Sequence, residues 1–155
     1  MKRYDKLIFV SNTDTCLGPM AKFIMRSKFL LEDLEIESRG RVVLFPEPVN
    51  QKAEAVMMSH GITMKTHEAT PLQDADFGER TLILVMDPVL KRKVCEEHTY
   101  VENVFLLTEY IGCMEEIANP LGKNLVNYGE CYETLEKMIS RLVVILNEQE
   151  LLNEH

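Results

Sequence analysis

Apolar positions along this chain follow two rhythms. Lys6–Val10 (KLIFV) is a short apolar run bounded by polar residues, which predicts a strand. Thr81–Met86 (TLILVM) is a continuous apolar run of the kind that a central strand buried on both faces requires. Leu34, Ile36 and Ser38 alternate with Glu35, Glu37 and Arg39, which predicts a further strand ended by Gly40, and VENVFLL around Phe105 predicts a fourth. Between these runs the apolar spacing becomes helical. Met20, Phe23, Ile24, Phe29 and Leu30 predict a helix over MAKFIMRSKFLLEDL, entered through Pro19 in its first turn. Val49–His60 reads as an amphipathic helix stopped by Gly61 at a position that favours a left-handed cap. Asp87 as N-cap and Pro88 open another helix through about Glu97. Tyr132, Leu135, Met138, Ile139, Leu142, Val143 and Leu146 give a long C-terminal helix.

The connections carry turn chemistry. FPEPVNQ has two prolines, ITMKTHEATPLQDADFGE is polar with a short helix expected near Asp74–Phe77, and GCMEEIANPLGKNLVNYGE is long enough to be a functional loop. Strand and helix alternate four times without repeats, low-complexity tracts or a linker. That predicts one α/β domain over residues 1–155, a doubly wound three-layer fold with a four-stranded parallel sheet and helices on both faces. Ligands in such folds bind at the carboxyl ends of strands, which places Ser11–Gly18 at the expected site.

Composition narrows the partners. The 155 residues carry a net charge of −8, which argues against nucleic acid or an anionic membrane surface. No apolar run reaches membrane-spanning length, and MKRYDKLIFVSN lacks a secretory apolar core, so a cytoplasmic protein is expected. Cys16, Cys95, Cys113 and Cys131 form no C-x-x-C pair and no His lies at metal-ligand spacing from them; no metal and no cofactor is expected, and the last three are read as reduced, mostly buried thiols. The acidic end, NEQELLNEH, reads as a solvated tail.

The sharpest question sits in VSNTDTCLGP. A strand, a tight polar turn and a helix N-terminus make an anion cradle. Yet the turn, Ser11, Asn12, Thr13, Asp14, Thr15, Cys16, Leu17 and Gly18, holds no Lys, no Arg and one carboxylate. Asp14 reads either as an ordinary turn residue or as an internal anion that fills the cradle together with Thr13, Thr15 and Ser11.

Taken in order, LIFVSNTDTCLGPMA, IESRG, PEPVNQKAEAVMMSHGITMKTHEAT, TLILVMD and LLTEYIG followed by ANPLGKNLVNYGECYETLEKM span nearly the whole chain. In this order they resemble the low-molecular-weight protein tyrosine phosphatase family, and Thr15-Cys16 resembles the T-C pair of bacterial protein arginine phosphatases. The resemblance implies a thiolate nucleophile at the first turn position, an Arg six residues later and an Asp acid on the long late loop. Those positions are occupied by Ser11, Leu17 and Asn119, so all three catalytic groups are replaced. A serine hydroxyl stays protonated without a base, Leu17 offers no guanidinium fork for phosphate oxygens, and Asn119 has no proton to give a leaving group.

The expectation is therefore a phosphatase-like protein without catalysis, binding or regulating a protein partner or small ligand as a monomer or weak homodimer. The alternative is an active phosphatase toward phosphotyrosine or phosphoarginine using Ser11 or Cys16. Cys16 is open to catalysis, redox sensing or simple packing. Tyr110, Tyr128 and Pro120 are cleft candidates, with packing of the loop as the other role of Tyr128. His67 is expected to hydrogen-bond loop backbone, and His60 to end its helix.

Overall fold

The computed structural model describes residues 4–153. Its strands are β1 (Lys6–Ser11), β2 (Glu35–Gly40), β3 (Thr81–Val85) and β4 (Val104–Leu106). All pair in parallel in the order β2-β1-β3-β4. Helices α1 (Leu17–Arg26), α2 (Gln51–Ser59), α3 (Pro88–Glu97), the short α4 (Leu107–Tyr110) and α5 (Leu125–Asn153) connect and follow them.

Strand parity builds the two layers of core. Side chains alternate across a sheet, so Leu7, Phe9, Leu82 and Leu84 fall on one face, packed under α1, α2 and α5. Ile8, Val10, Ile83 and Val85 fall on the other, with Leu90 and Val94 of α3 and with Leu72 and Phe77. Both central strands are buried on both sides, as their unbroken apolar runs demand. This is the expected doubly wound α/β architecture. Asp87 caps α3 by accepting the Leu90 N–H at 2.9 Å, and Gly61 after α2 takes φ +77°. A 3₁₀ turn at Asp74–Asp76 stands where a short helix was expected.

Two helices differ from the expectation. α1 begins three residues earlier, at Leu17, and stops at Arg26, eight residues before the expected end at Leu34. Phe29 and Leu30 mimic helical spacing, but the chain has already left the helix: Leu31 donates its N–H to the Asn147 amide oxygen, and Asn147 donates back to the Phe29 carbonyl, with the Phe29 ring exposed. α5 begins at Leu125 rather than near Tyr132, so the late loop is shorter. Tyr128, Cys131, Tyr132 and Leu135 continue the buried stripe backwards, and Gly129 between them disguises it. The supposed acidic tail is helical through Asn153, with Glu150 buried; Glu154 and His155 lie outside the described residues.

Candidate functional site

The chain runs from β1 to β2 on one side and crosses back to β3 on the other, so the switch point of the sheet lies between the carboxyl ends of β1 and β3. There the Ser11–Gly18 turn wraps a small pocket of about 30 Å³ lined by Ser11, Asn12, Thr13, Cys16, Leu17, Met86, Asp87, Asn119 and Leu121. Since a water needs ~10–15 Å³, the space suits one small group.

The turn's carbonyls are committed outward. Ser11 O accepts from Arg41 N (3.0 Å), Asn12 O from Val42 N (2.9 Å), Thr15 O from Asn50 N (2.8 Å) and Cys16 O from Met20 N (3.0 Å). Asp14 O accepts from His67 Nε2 at 2.7 Å. A planar trans peptide points its N–H opposite to its C=O. The N–H groups of Asn12, Thr13, Thr15, Cys16 and Leu17 therefore point away from these partners, and Asn12, Thr13, Cys16 and Leu17 line the pocket at the N-terminus of α1. Gly40 lets the turn come this close to β2, because a Cβ there would lie 2.9 Å from the Thr13 carbonyl carbon and 3.0 Å from Asp14 N.

Of the two readings of Asp14, filling the cradle is corrected. Its φ of +58°, a left-handed conformation that Asp tolerates, turns the side chain behind the turn. The carboxylate is fully buried; Oδ2 accepts the Thr70 N–H at 3.0 Å and lies 3.6 Å from His67 Nε2. Burial pushes the carboxyl above its ordinary range, against the opposing pull of the Ser38 hydroxyl, the Thr70 N–H and the charges of His67 and Lys22. Thr13 and Thr15 do not occupy the cradle amides either: their hydroxyls hydrogen-bond each other at 2.8 Å. Ser11 alone of the four receives a turn amide, Asp14 N–H to Oγ at 3.2 Å.

His67 holds loop backbone as expected. Beneath it lies a residue that sequence reading missed. Lys22, 6% exposed, places Nζ 2.8 Å from His67 Nδ1. Its only signal was a lone cation inside the apolar run of α1.

The remaining candidates separate. Ser11, Leu17 and Asn119, distant in sequence, meet at the one pocket. Asn119 uses its amide oxygen to accept the Leu121 N–H (3.1 Å). Gly18 lies under Ser11, where a Cβ would come 2.8 Å from Oγ. Cys16 is 3% exposed, and burial, with Cys131 beside it, pushes its thiol up to about 12. Tyr128, Tyr110 and Pro120 do not line this pocket. Tyr128 is buried in the main core and touches a separate depression beside Asn50, Lys52 and Gly122. Tyr110 is half-buried with its hydroxyl near Gln149, and Pro120 lines a depression with Glu115, Lys123 and Glu130. Cys95 is exposed and Cys113 partly so, against the expectation of burial; Cys131 is buried. His60 ends α2 and stacks on Tyr132, ring centroids 3.8 Å apart.

Met86, Asp87 and Leu121 complete the pocket without having been singled out for it. Asp87 is the sole charged residue among its lining. The turn amides and the helix dipole attract an anion, while the side chains around them supply no cation.

A family model, low molecular weight phosphotyrosine protein phosphatase, matches residues 6–153. A Staphylococcus haemolyticus protein named low molecular weight protein-tyrosine-phosphatase PtpB is 28% identical over 137 residues, 88% of this chain and 96% of its own. The crystal structure of a low molecular weight protein tyrosine phosphatase from T. tengcongensis superposes with a TM-score of 0.83 at 29% identity, covering 91% of this chain and 99% of that one. The YwlE arginine phosphatase from Geobacillus stearothermophilus gives a TM-score of 0.87 at 26% identity, with 97% of each chain covered.

Proposed function

The chain belongs to the low molecular weight phosphotyrosine protein phosphatase family, and from that premise we propose that it is a member without phosphoryl-transfer activity, keeping the turn as a binding or regulatory surface. One observation carries this reading: Ser11, Leu17 and Asn119 converge on a pocket whose only charged side chain is the carboxylate of Asp87. Each replaces a group that the family resemblance implies, and each replacement removes a different part of the chemistry.

The Ser11 hydroxyl is hydrogen-bonded to no base: its oxygen accepts the Asp14 N–H, and the Asp87 carboxylate of the same pocket accepts the Leu90 N–H. Cys16 does not stand in, because a thiol near 12 leaves on the order of one thiolate in 10⁵ at neutral pH. Leu17 lays an apolar side chain where a guanidinium would hold phosphate oxygens; a comparable arginine contributes roughly 10³–10⁵ in rate. Asn119 offers amide N–H groups but no transferable proton, and loss of a general acid costs about 10²–10⁴. The partner is proposed to be a protein or small ligand rather than nucleic acid or membrane. A net charge of −8 disfavours polyanions, and among the described residues no helix is long and apolar enough to cross a membrane.

The test is turnover of p-nitrophenyl phosphate from about pH 5 to 8, with phosphoarginine as second substrate because of the likeness to YwlE. Background rates are expected. Turnover above about 1 s⁻¹, the low end of ordinary enzymes, that disappears in Ser11→Ala would overturn the proposal.

A further inference from the structure

Behind the turn, Lys22, His67 and Asp14 form a buried relay whose protonation is set by the partners themselves. His67 Nε2 lies 2.7 Å from a carbonyl oxygen, Asp14 O, so it must carry a hydrogen. His67 Nδ1 lies 2.8 Å from Lys22 Nζ. Two nitrogens at that distance share one proton: an ammonium donating to a bare Nδ1, or an imidazolium donating to an amine. With a second proton both would be donors facing one another.

All three residues are at most 6% exposed, so water does not separate the two cations that a second proton creates. The charged and titratable surroundings are Arg26 from α1, Glu37 and Arg39 from β2, and Asp14 from the turn; Ser38 and the Thr70 N–H complete the polar shell. Arg26 and Arg39 add to the repulsion on Lys22, while Glu37 and Asp14 oppose it. Lys22 is fixed on a buried helix, with Nζ over the Phe23 ring at 4.7 Å from its centroid. His67 stands on an irregular segment, the same segment that grips the turn twice, through Nε2 to Asp14 O and through Thr70 N–H to the Asp14 carboxylate. Ala69 N–H to Glu47 O and Gly40 N–H to Thr70 O, at 2.8 Å each, hold the backbone beyond His67, so when the pair parts it is the His67 ring that moves.

We propose that the relay is a proton-operated latch: a second proton on the Lys22–His67 pair drives the nitrogens apart and withdraws the His67 ring from Asp14 O, loosening the Ser11–Gly18 turn in acid. The latch is independent of whether the pocket turns over a substrate.

Amide hydrogen exchange of residues 12–18 in the full chain, corrected for the intrinsic pH dependence of exchange, reads the latch between about pH 8 and pH 5. The expected result is a loss of protection of about tenfold in the wild type and less than about twofold in His67→Gln, which keeps a donor and an acceptor but does not titrate. Unchanged protection in the wild type, or an equal loss in His67→Gln, overturns the proposal. Should His67→Gln fail to fold, the wild type decides it. The midpoint of loosening must coincide with the His67 ring titration followed by NMR, and a midpoint displaced by more than about one pH unit overturns it.

Discussion

Asp14 shows how one residue's conformation decides its role. A carboxylate in a turn at a helix N-terminus looks like an electrostatic obstacle to an anion, and replacing it by Asn looks like a repair. Its positive φ reverses that conclusion, because the side chain lies behind the turn against His67 and Thr70, with Lys22 beyond. Asp14→Asn removes the carboxylate whose charge favours the protonated forms of Lys22 and His67. Burial costs the ionised carboxylate more than its partners return, so Asp14→Asn, which keeps an acceptor for the Thr70 N–H, is expected to leave the melting temperature at neutral pH unchanged or higher. A loss of about 3 kcal/mol, the usual cost of breaking a buried pair, would show that the carboxylate balances Lys22.

His67 supplies the pH dependence at this scale. Burial, together with Lys22 and Arg26, holds its pKa in the folded chain below the ordinary value. The unfolded chain takes up the proton first as pH falls below about 6.5, so this contribution to stability is present above that value and is lost as pH falls toward the folded pKa. Asp14 has the opposite sign: burial raises its pKa, and its cost to stability eases in acid. Both effects operate in the wild type, but only the Asp14 effect survives in His67→Gln. Between about pH 7.5 and 5.5 the wild type should therefore lose more melting temperature than the variant does. Equal losses would remove His67 from the account of acid sensitivity. Cys16 gives a simpler readout. With its thiol near 12 and only 3% exposed, brief alkylation at neutral pH should modify the exposed Cys95 and spare Cys16, as peptide mass mapping would show.

Elements were legible where local chemistry sets their limits. Asp87-Pro88 announces the start of α3, and the cap is made by the Asp87 side chain; Asp87→Ala should cost about 1 kcal/mol of stability, measurable by urea unfolding. The unbroken apolar run of β3 announced a strand with two covered faces, which the two cores confirm. The ends of α1 and the beginning of α5 were not legible, because tertiary contacts set them. Phe29 and Leu30 keep helical spacing beyond the point where Asn147 of α5 draws the chain out of α1. Gly129 interrupts a buried stripe that the rest of α5 sustains. Spacing along one chain does not reveal which neighbour will compete for a backbone group.

At the scale of the molecule, the turn's position at the switch point followed from the order of strands and helices. Three residues separated by as many as 108 positions in sequence, Ser11, Leu17 and Asn119, were brought to one pocket. Two features remained hidden: the direction of the Asp14 side chain, and Lys22 beneath it. Both depend on which side of the turn faces the core, and polarity along the sequence says nothing of that. The geometry changes the route to restoring catalysis. Ser11→Cys, Leu17→Arg and Asn119→Asp made together, with Asp14 retained, should bring p-nitrophenyl phosphate hydrolysis above background by at least about 10², the low end of what an acid or an arginine contributes. A folded triple variant that stays inert would mean that these positions do not correspond to the family's catalytic groups.

The most direct measurement is calorimetric titration of inorganic phosphate into the wild-type protein at neutral pH, paired with melting in the presence of phosphate. A pocket with turn amides but no cation should give no saturable heat and no rise in melting temperature up to about 10 mM phosphate, since stabilisation requires preferential binding to the folded state. A single site with a dissociation constant below about 1 mM, lost on Leu17→Asp, would show that the amides and the helix dipole hold a dianion unaided, and would contradict the reading of this pocket as one that has given up phosphate.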